Sequence, residues 1–333
     1  MSSRLLIPVI YHPTNVIVLD DKAPFLNIVR QMIDRHIPYI TETNPKRVLN
    51  YLRSHTYRRD SMTQLLLRRN YDAAHDPSDN AESFYLDFSR VLALLQSPDF
   101  YKKVVIVFID RQMPLKDGLE LCREIRKEGL MTILVLFTGE TTSDEVVDAF
   151  NKGDIDFYLP KQNLDRNKIN TCITEGIWKF FIRISETLTG LMFHELMPLY
   201  DEQFFEVFDN IRQKYHVNAF YLLDLSCSFL LVNAKGEAKK LFVRNEDDFK
   251  DCYDIAKDSK APDEVLQALR NRQQFPYTKG NMGYAKLVGD QWDDFLISMN
   301  KVPGRELYYA VIDRPDVEIF SFQKYFEEVW PQP

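Results

Sequence analysis

Val104–Gly118 reads VVIVFIDRQMPLKDG. Its five apolar residues, Val104 to Phe108, predict a strand of a parallel sheet covered on both faces. The run passes Ile109 and ends on a carboxylate, Asp110, where the chain leaves the sheet. Open α/β sheets bind their ligands at the carboxyl ends of their strands, so Asp110 stands at a candidate site. Met113-Pro114 and Asp117-Gly118 are turn signals, and Leu119–Lys127 then reads as a helix. Alone, the stretch fits equally a buried strand whose Asp caps a loop.

The neighbouring stretches repeat the design. Asn15–Leu19 (NVIVL) is a second short apolar strand, ending in Asp20-Asp21. Pro24 suits the first turn of a helix whose apolar face is Phe25, Ile28, Val29, Met32 and Ile33. Ile37–Thr41 predicts a third strand, and Asn44-Pro45 opens a helix to Arg53. After the central strand and its helix, Thr132–Phe137 predicts a strand ending at Thr138-Gly139. Thr142–Asn151 is helical and closes at Gly153. Ile155–Leu159 is a last strand, ending at Pro160-Lys161. Five strands alternating with helices predict an α/β, doubly wound parallel sheet.

By connection handedness and the strand-end rule, Asp20, Asp21, Asp110, Thr138 and Lys161 converge on one edge. Three clustered carboxylates repel unless a cation neutralises them, and hard oxygen ligands suit Mg2+. A nearby lysine and hydroxyl supply a cation and a donor for transferred phosphoryl oxygens. Such an assembly is a phosphoryl-transfer site with an aspartate nucleophile.

These residues, in this order, resemble the CheY-like receiver domain of two-component response regulators, a flavodoxin-like fold. The family pattern is an acidic pair after the first strand, an acceptor Asp after the third, then Thr or Ser and Lys after the fourth and fifth. Met113-Pro114 and Asp117-Gly118 also match it, and Tyr158 lies where the family keeps its switch aromatic. The resemblance implies that Asp110 accepts a phosphoryl group from a sensor histidine kinase or a phosphotransfer protein. It implies Mg2+ held by Asp20, Asp21, Asp110 and the Gln112 backbone carbonyl, with Lys161 and Thr138 on the phosphoryl oxygens. It implies a switch through Thr138 and Tyr158, a homodimer on phosphorylation, and no enzyme activity beyond self-catalysed phosphorylation and dephosphorylation. Two features depart from the pattern. Asp21 and Asp110 lie 89 residues apart, against some forty in the family, and Pro160 precedes Lys161 where a proline usually follows.

The surplus falls in 54–103, with seven basic and seven acidic residues. Helices are expected over Ser61–Arg69 and Ser83–Gln96 of this insertion, around the polar break DAAHDPSDN. Residues 1–166 thus form the expected receiver, followed by a helical linker or dimerisation segment, 167–217. In that segment Ile173, Ile177, Phe180, Phe181, Ile184, Leu188, Leu191 and Met192 keep helical spacing, equally suited to a connector or to intrachain core. A C-terminal α+β domain, 218–313, and a terminal helix, 314–333, complete the chain.

In the C-terminal domain Ala219–Asp224 and Phe229–Asn233 predict strands, Glu237–Phe242 a helix and Pro262–Arg272 another. Tyr284–Gly289, Asp294–Asn300 and Leu307–Asp313 alternate as an antiparallel meander, giving a PAS-like arrangement. Lys235, Lys239 and Lys240 form a basic cluster of the kind that binds a nucleotide or RNA; a solvated helix end is the plainer reading. From His216 onward there are 15 Lys and Arg against 19 Asp and Glu, a poor footprint for a phosphate backbone. Nucleic-acid binding and nucleotide processing remain the alternative outputs. The layout of receiver, long insertion and output lacking a DNA-binding motif resembles a quorum-sensing response regulator.

The 333 residues allow about two domains. A net charge of −7 gives no global field toward nucleic acid or anionic membrane. The four cysteines form no CxxC pair, which argues against a disulfide framework or zinc site. The N-terminus lacks a signal-peptide core and no 18-residue apolar run occurs, so a cytoplasmic protein without membrane insertion is expected.

Overall fold

Two short runs of β-branched and aliphatic residues set the centre of the first sheet. Strands β1 (Asn15–Leu19) and, across the insertion, Val104–Asp110 are buried at every position, as strands covered on both faces must be. The computed structural model describes residues 5–58, 66–69, 83–86, 101–139, 144–189, 196–278, 284–314 and 322–324. The chain divides into two units, 8–192 with 319–333, and 1–7 with 193–318.

In the first unit β1 is followed by α1 (Ala23–Met32), β2 (Tyr39–Glu42) and α2 (Pro45–His55). Asn44 caps α2, its side chain accepting from the Lys46 N–H at 2.9 Å, with Pro45 at the first helical position. Then come β3 (Val104–Asp110), α3 (Gly118–Lys127), β4 (Ile133–Thr138), α4 (Asp144–Asn151), β5 (Phe157–Pro160) and α5 (Arg166–Thr189). The strands are parallel in the order β2-β1-β3-β4-β5, the expected doubly wound sheet. One face packs Leu19, Val107, Ile109 and Leu134 against Leu49 and Leu52 of α2, Leu119 and Ile125 of α3 and Val146 of α4.

Of the residues read as the apolar face of α1, Val29 and Ile33 are buried, whereas Ile28 is exposed. In α5, Ile173, Ile177, Phe180, Phe181 and Ile184 are buried, and Phe181 meets Tyr11 and His12 of the same unit. This part of the expected linker is therefore intrachain core. Gly176 lets α5 lie close on β3, since a Cβ there would stand 2.7 Å from Ile106 Cδ1. Leu191 and Met192 fall outside the described residues.

The insertion corrects the sequence reading. Leu66–Arg69 and Ser83–Leu86, expected within helices, are strands paired antiparallel, with Leu66 opposite Leu86. Phe84-Tyr85 favours an extended chain, and runs this short show no reliable period. The rest of both expected helices lies outside the described residues. Where the chain leaves for the insertion, the Thr56 hydroxyl donates to the Val104 and Met131 carbonyls at 3.0 and 2.7 Å. Where it returns, Asn15 N–H donates to the Lys103 carbonyl at 2.9 Å.

In the second unit α6 (Glu202–Lys214) is capped by Asp201 and precedes β6 (Val217–Leu222) and β7 (Phe229–Asn233). The predicted helix Glu237–Phe242 is instead part of β8 (Ala238–Asn245). The strand pairs on both sides, with Leu231 opposite Lys239 and Phe242 opposite Ala310. Two-sided pairing overrides the helical preference of Ala-Lys-Lys-Leu. Helices α7 (Glu246–Asp258) and α8 (Asp263–Arg270) follow, then β9 (Gln274–Pro276) paired antiparallel with β10 (Leu296–Ser298).

The expected strand Tyr284–Gly289 is a 3-10 turn at Tyr284–Lys286, and Gly289–Phe295 is a second one. β11 (Asn300–Lys301) and β12 (Leu307–Asp313) form the final hairpin about Pro303-Gly304. The antiparallel sheet runs β6-β7-β8-β12-β11. Trp292, Phe249 and Phe275 lie in the core on its α7–α8 side. Of the expected terminal helix, Phe322–Lys324 is helical and the rest lies outside the described residues. No helix among the described residues is long and apolar enough to cross a membrane.

Candidate functional site

The registers of the parallel sheet bring the strand ends into line. Leu19 pairs with Ile109, Asp110 with Phe137, and Pro160 with Thr138. Each polar residue that follows or ends a strand, namely Asp20, Asp110, Thr138 and Lys161, therefore emerges at one edge. This is where the strand order reverses, between β1 and β3.

Lys161 draws the group together. Its ammonium donates to Asp20 Oδ2 at 2.6 Å and reaches Asp110 Oδ1 at 2.8 Å. Asp20 is fully buried, and its other oxygen accepts from the Lys22 N–H at 2.8 Å. Asp20, Asp21 and Asp110 each present an oxygen within 4.8 Å of the others. Burial pushes the Asp110 carboxyl above its ordinary range. The Lys161 hydrogen bond opposes this, Asp20 adds to it by repulsion, and a backbone hydrogen bond from Gln112 opposes it.

Two buried oxygens at this edge have no hydrogen-bond partner among the described residues, Asp21 Oδ1 and Thr138 Oγ1. Buried polar atoms are satisfied in nearly all folded proteins, so an unpaired pair beside clustered carboxylates marks room for a further polar group. An all-oxygen donor set with three carboxylates fits a hard divalent cation such as Mg2+, retaining waters.

The backbone around Asp110 is tightly held. Arg111 N–H donates to the Phe137 carbonyl at 3.1 Å and Gly118 N–H to the Arg111 carbonyl at 2.8 Å. A Cβ on Gly118 would stand 2.2 Å from the Asp110 carbonyl oxygen, so only glycine fits. Asp117 caps α3, accepting from Leu119 N–H at 2.8 Å. The Asp-Gly pair read as a turn thus does two jobs, starting α3 and letting it approach the candidate acceptor.

Sequence reasoning missed Phe25. Its ring lies under the Lys161 ammonium, 4.4 Å from nitrogen to centroid, and meets Phe137 edge-on at 5.3 Å. Tyr158 stands apart from the carboxylates, 36% exposed, its ring at right angles to Phe150 with centroids 6.1 Å apart. The chain after Lys161 makes a 3-10 turn through Asn163.

Residues 87–174 match the family described as the response regulator receiver domain, a span that includes Asp110, Thr138 and Lys161. No protein of curated function matches the sequence. Among solved structures, the Legionella pneumophila response regulator LqsR is similar at 25% identity with a TM-score of 0.75, over 98% of this chain and 97% of that one. The signal receiver domain of an HD domain-containing protein from Pseudomonas fluorescens Pf-5 matches at 15% identity and a TM-score of 0.34. That match spans 53% of this chain and 95% of the other.

Proposed function

We propose that this chain, which carries the receiver domain of a response regulator, is a phosphorylation-controlled switch with Asp110 as its acceptor. One observation carries the reading: a single ammonium, Lys161, bridges Asp20 and Asp110 beside the Thr138 hydroxyl, which has no partner among the described residues. An Asp110 oxygen attacks the phosphorus of a phosphohistidine or small acyl phosphate in line. The new O–P bond forms as the P–N or P–O bond to the leaving group breaks, and the leaving group keeps that electron pair. Lys161 holds Asp110 in place and pairs with the phosphoryl oxygens as charge builds on them. Thr138 donates to one of those oxygens.

Asp20, Asp21, Asp110 and the Gln112 carbonyl would hold Mg2+, which supplies positive charge to offset that of the carboxylates and the incoming phosphoryl group. Donors of the group are a sensor histidine kinase or a phosphotransfer protein. Inward movement of Tyr158 behind Thr138 then shifts the population toward a dimer through α4 and β5, where Val147 and Phe150 are exposed. The resemblance in layout extends the proposal to a quorum-sensing circuit.

The test is intact-mass measurement after treatment with acetyl phosphate and Mg2+, for wild type and Asp110→Asn, with light scattering on the same samples. A labile adduct of about 80 Da, absent from the variant and accompanied by dimer, is the expected result. No adduct from acetyl phosphate or from phosphorylated kinases would overturn the reading.

A further inference from the structure

Strand β8 carries an uncommon triplet on one face, Lys240, Phe242 and Arg244, at the two-residue spacing that shares a face. Lys239, pointing to the opposite face, pairs with Asp313, and Lys235 is exposed. The basic cluster legible in the sequence is therefore split, and Lys240 goes inward with Arg244. Their side chains are only 15% and 16% exposed.

Two such cations would ordinarily each hold a carboxylate. Here they share one at long range: Asp224 Oδ2 is 4.0 Å from Lys240 Nζ and 3.5 Å from Arg244 Nη1. Asp224 is itself engaged, its other oxygen accepting from the Ser228 N–H at 2.9 Å. The Lys240 ammonium makes no hydrogen bond to any described residue. Arg244 spends Nη1 on the Val243 carbonyl at 2.6 Å and the Ser228 hydroxyl at 3.4 Å, and leaves Nη2 without a partner among the described residues. The charged groups bearing on Lys240 are Asp224, Arg244 and Arg314, and Asp224 is the carboxylate that Lys240 and Arg244 share. Desolvation holds the Lys240 ammonium below its ordinary range, with Asp224 opposing.

Aromatic rings wall the same place. Lys240 Nζ lies 5.2 Å from the Phe242 centroid and 5.6 Å from that of Tyr277, while the Arg244 guanidinium sits 4.0 Å over Phe242 and 5.5 Å from Phe275. The Tyr277 ring stands edge-on to Phe242 and is half-buried.

We infer that Lys240 and Arg244 form a binding site for a phosphate monoester carrying a planar ring, a nucleoside monophosphate in chemical class. Lys240 and Arg244 together outweigh the one carboxylate they share, Asp224, which suits an anionic phosphate. The unused ammonium and guanidinium donors take its oxygens, and Tyr277 stacks on the ring. This site lies in the second unit and stands independently of phosphorylation at Asp110.

The test is calorimetric titration of the full chain in EDTA with inorganic phosphate and with AMP. Saturable binding is expected, tighter for AMP by about tenfold, the contribution of one stacked base. Lys240→Gln weakens both by about tenfold, as loss of a charge-assisted bond does. Asp224→Asn tightens both, because it removes the carboxylate that competes for the two cations; a merely structural cluster gives no such gain. Asp110→Asn leaves binding unchanged. Absence of saturable binding to wild type up to about 10 mM, weaker than any affinity worth about 3 kcal/mol, would overturn the inference. So would equal affinity for phosphate and AMP, or AMP affinity that neither Lys240→Gln nor Asp224→Asn alters.

Discussion

Lys161 and Asp20 are 141 residues apart in the chain and 2.6 Å apart in space, and the same ammonium reaches Asp110 at 2.8 Å. One cation thus holds two carboxylates that would otherwise repel, and it links the last strand of the sheet to its first and central ones.

Replacing Lys161 with Met leaves the carboxylate cluster without its internal cation. Thermal unfolding in EDTA should show a loss of about 3 kcal/mol, the cost of breaking a buried pair. Added Mg2+ should restore most of it, since it supplies charge to the same oxygens. Phosphorylation by acetyl phosphate, followed by intact mass, should slow by at least about tenfold with the loss of the phosphoryl-oxygen partner. A variant equally stable with and without Mg2+ would contradict this.

The Asp110 carboxyl is raised in the folded chain, first by burial. A raised carboxylate binds its proton more tightly folded than unfolded. It therefore costs stability above its folded pKa, and that cost disappears as pH falls below the unfolded value near 4. Asp110→Asn should raise the Tm at pH 7 and give no gain at about pH 3.5. Melting curves at the two values, without Mg2+, check the sign.

His12 behaves in the opposite sense. It is fully buried between Tyr57, Phe181 and Tyr101, and burial lowers its pKa to about 3, against the effect of a hydrogen bond with the Pro13 carbonyl. Its neutral form adds stability that is complete above 6.5 and is lost as pH falls from there toward 3. Over that range wild type should lose about 1.4 kcal/mol per pH unit more than His12→Leu, the slope of one proton. Chemical denaturation at several pH values reads that slope separately from any uniform loss in the variant.

Gly118→Ala tests the approach of α3 to the acceptor. The new methyl group would meet the Asp110 and Arg111 backbone, which cannot rotate away as a side chain can. A loss of about 1–3 kcal/mol is expected from overpacking, together with slower phosphorylation as Asp110 shifts. Wild-type rates in a stable Gly118→Ala would show that the loop yields elsewhere.

The first sheet was legible because its signals are short-range and redundant. NVIVL and VVIVFID are too uniformly apolar to be anything but buried, and the carboxylates that follow them break those runs abruptly. Asn44-Pro45 and Asp117-Gly118 mark helix starts by the chemistry of their own side chains. Phe25 was not legible as a site residue: its ring meets the Lys161 ammonium and Phe137 only once the strand ends are brought together, a relation with no local trace. The second unit defeated pattern reading where neighbours decide. Ala238–Phe242 is extended because β7 and β12 flank it, and Lys240 is inward because of the parity of that strand. Leu66–Arg69 likewise takes its form from Ser83–Leu86, which the intervening sequence does not announce.

The insertion leaves at Thr56 and returns at Val104, two residues already joined by a hydrogen bond of 3.0 Å. That junction lies at the opposite end of β3 from Asp110, about 20 Å away along seven residues of strand. Chain added at such a seam costs only closure entropy, about 0.6 kcal/mol for each doubling of length. The reacting groups and the accessory segment are thus free to diverge separately. The same seam is the natural place to graft a reporter that leaves the chemistry intact.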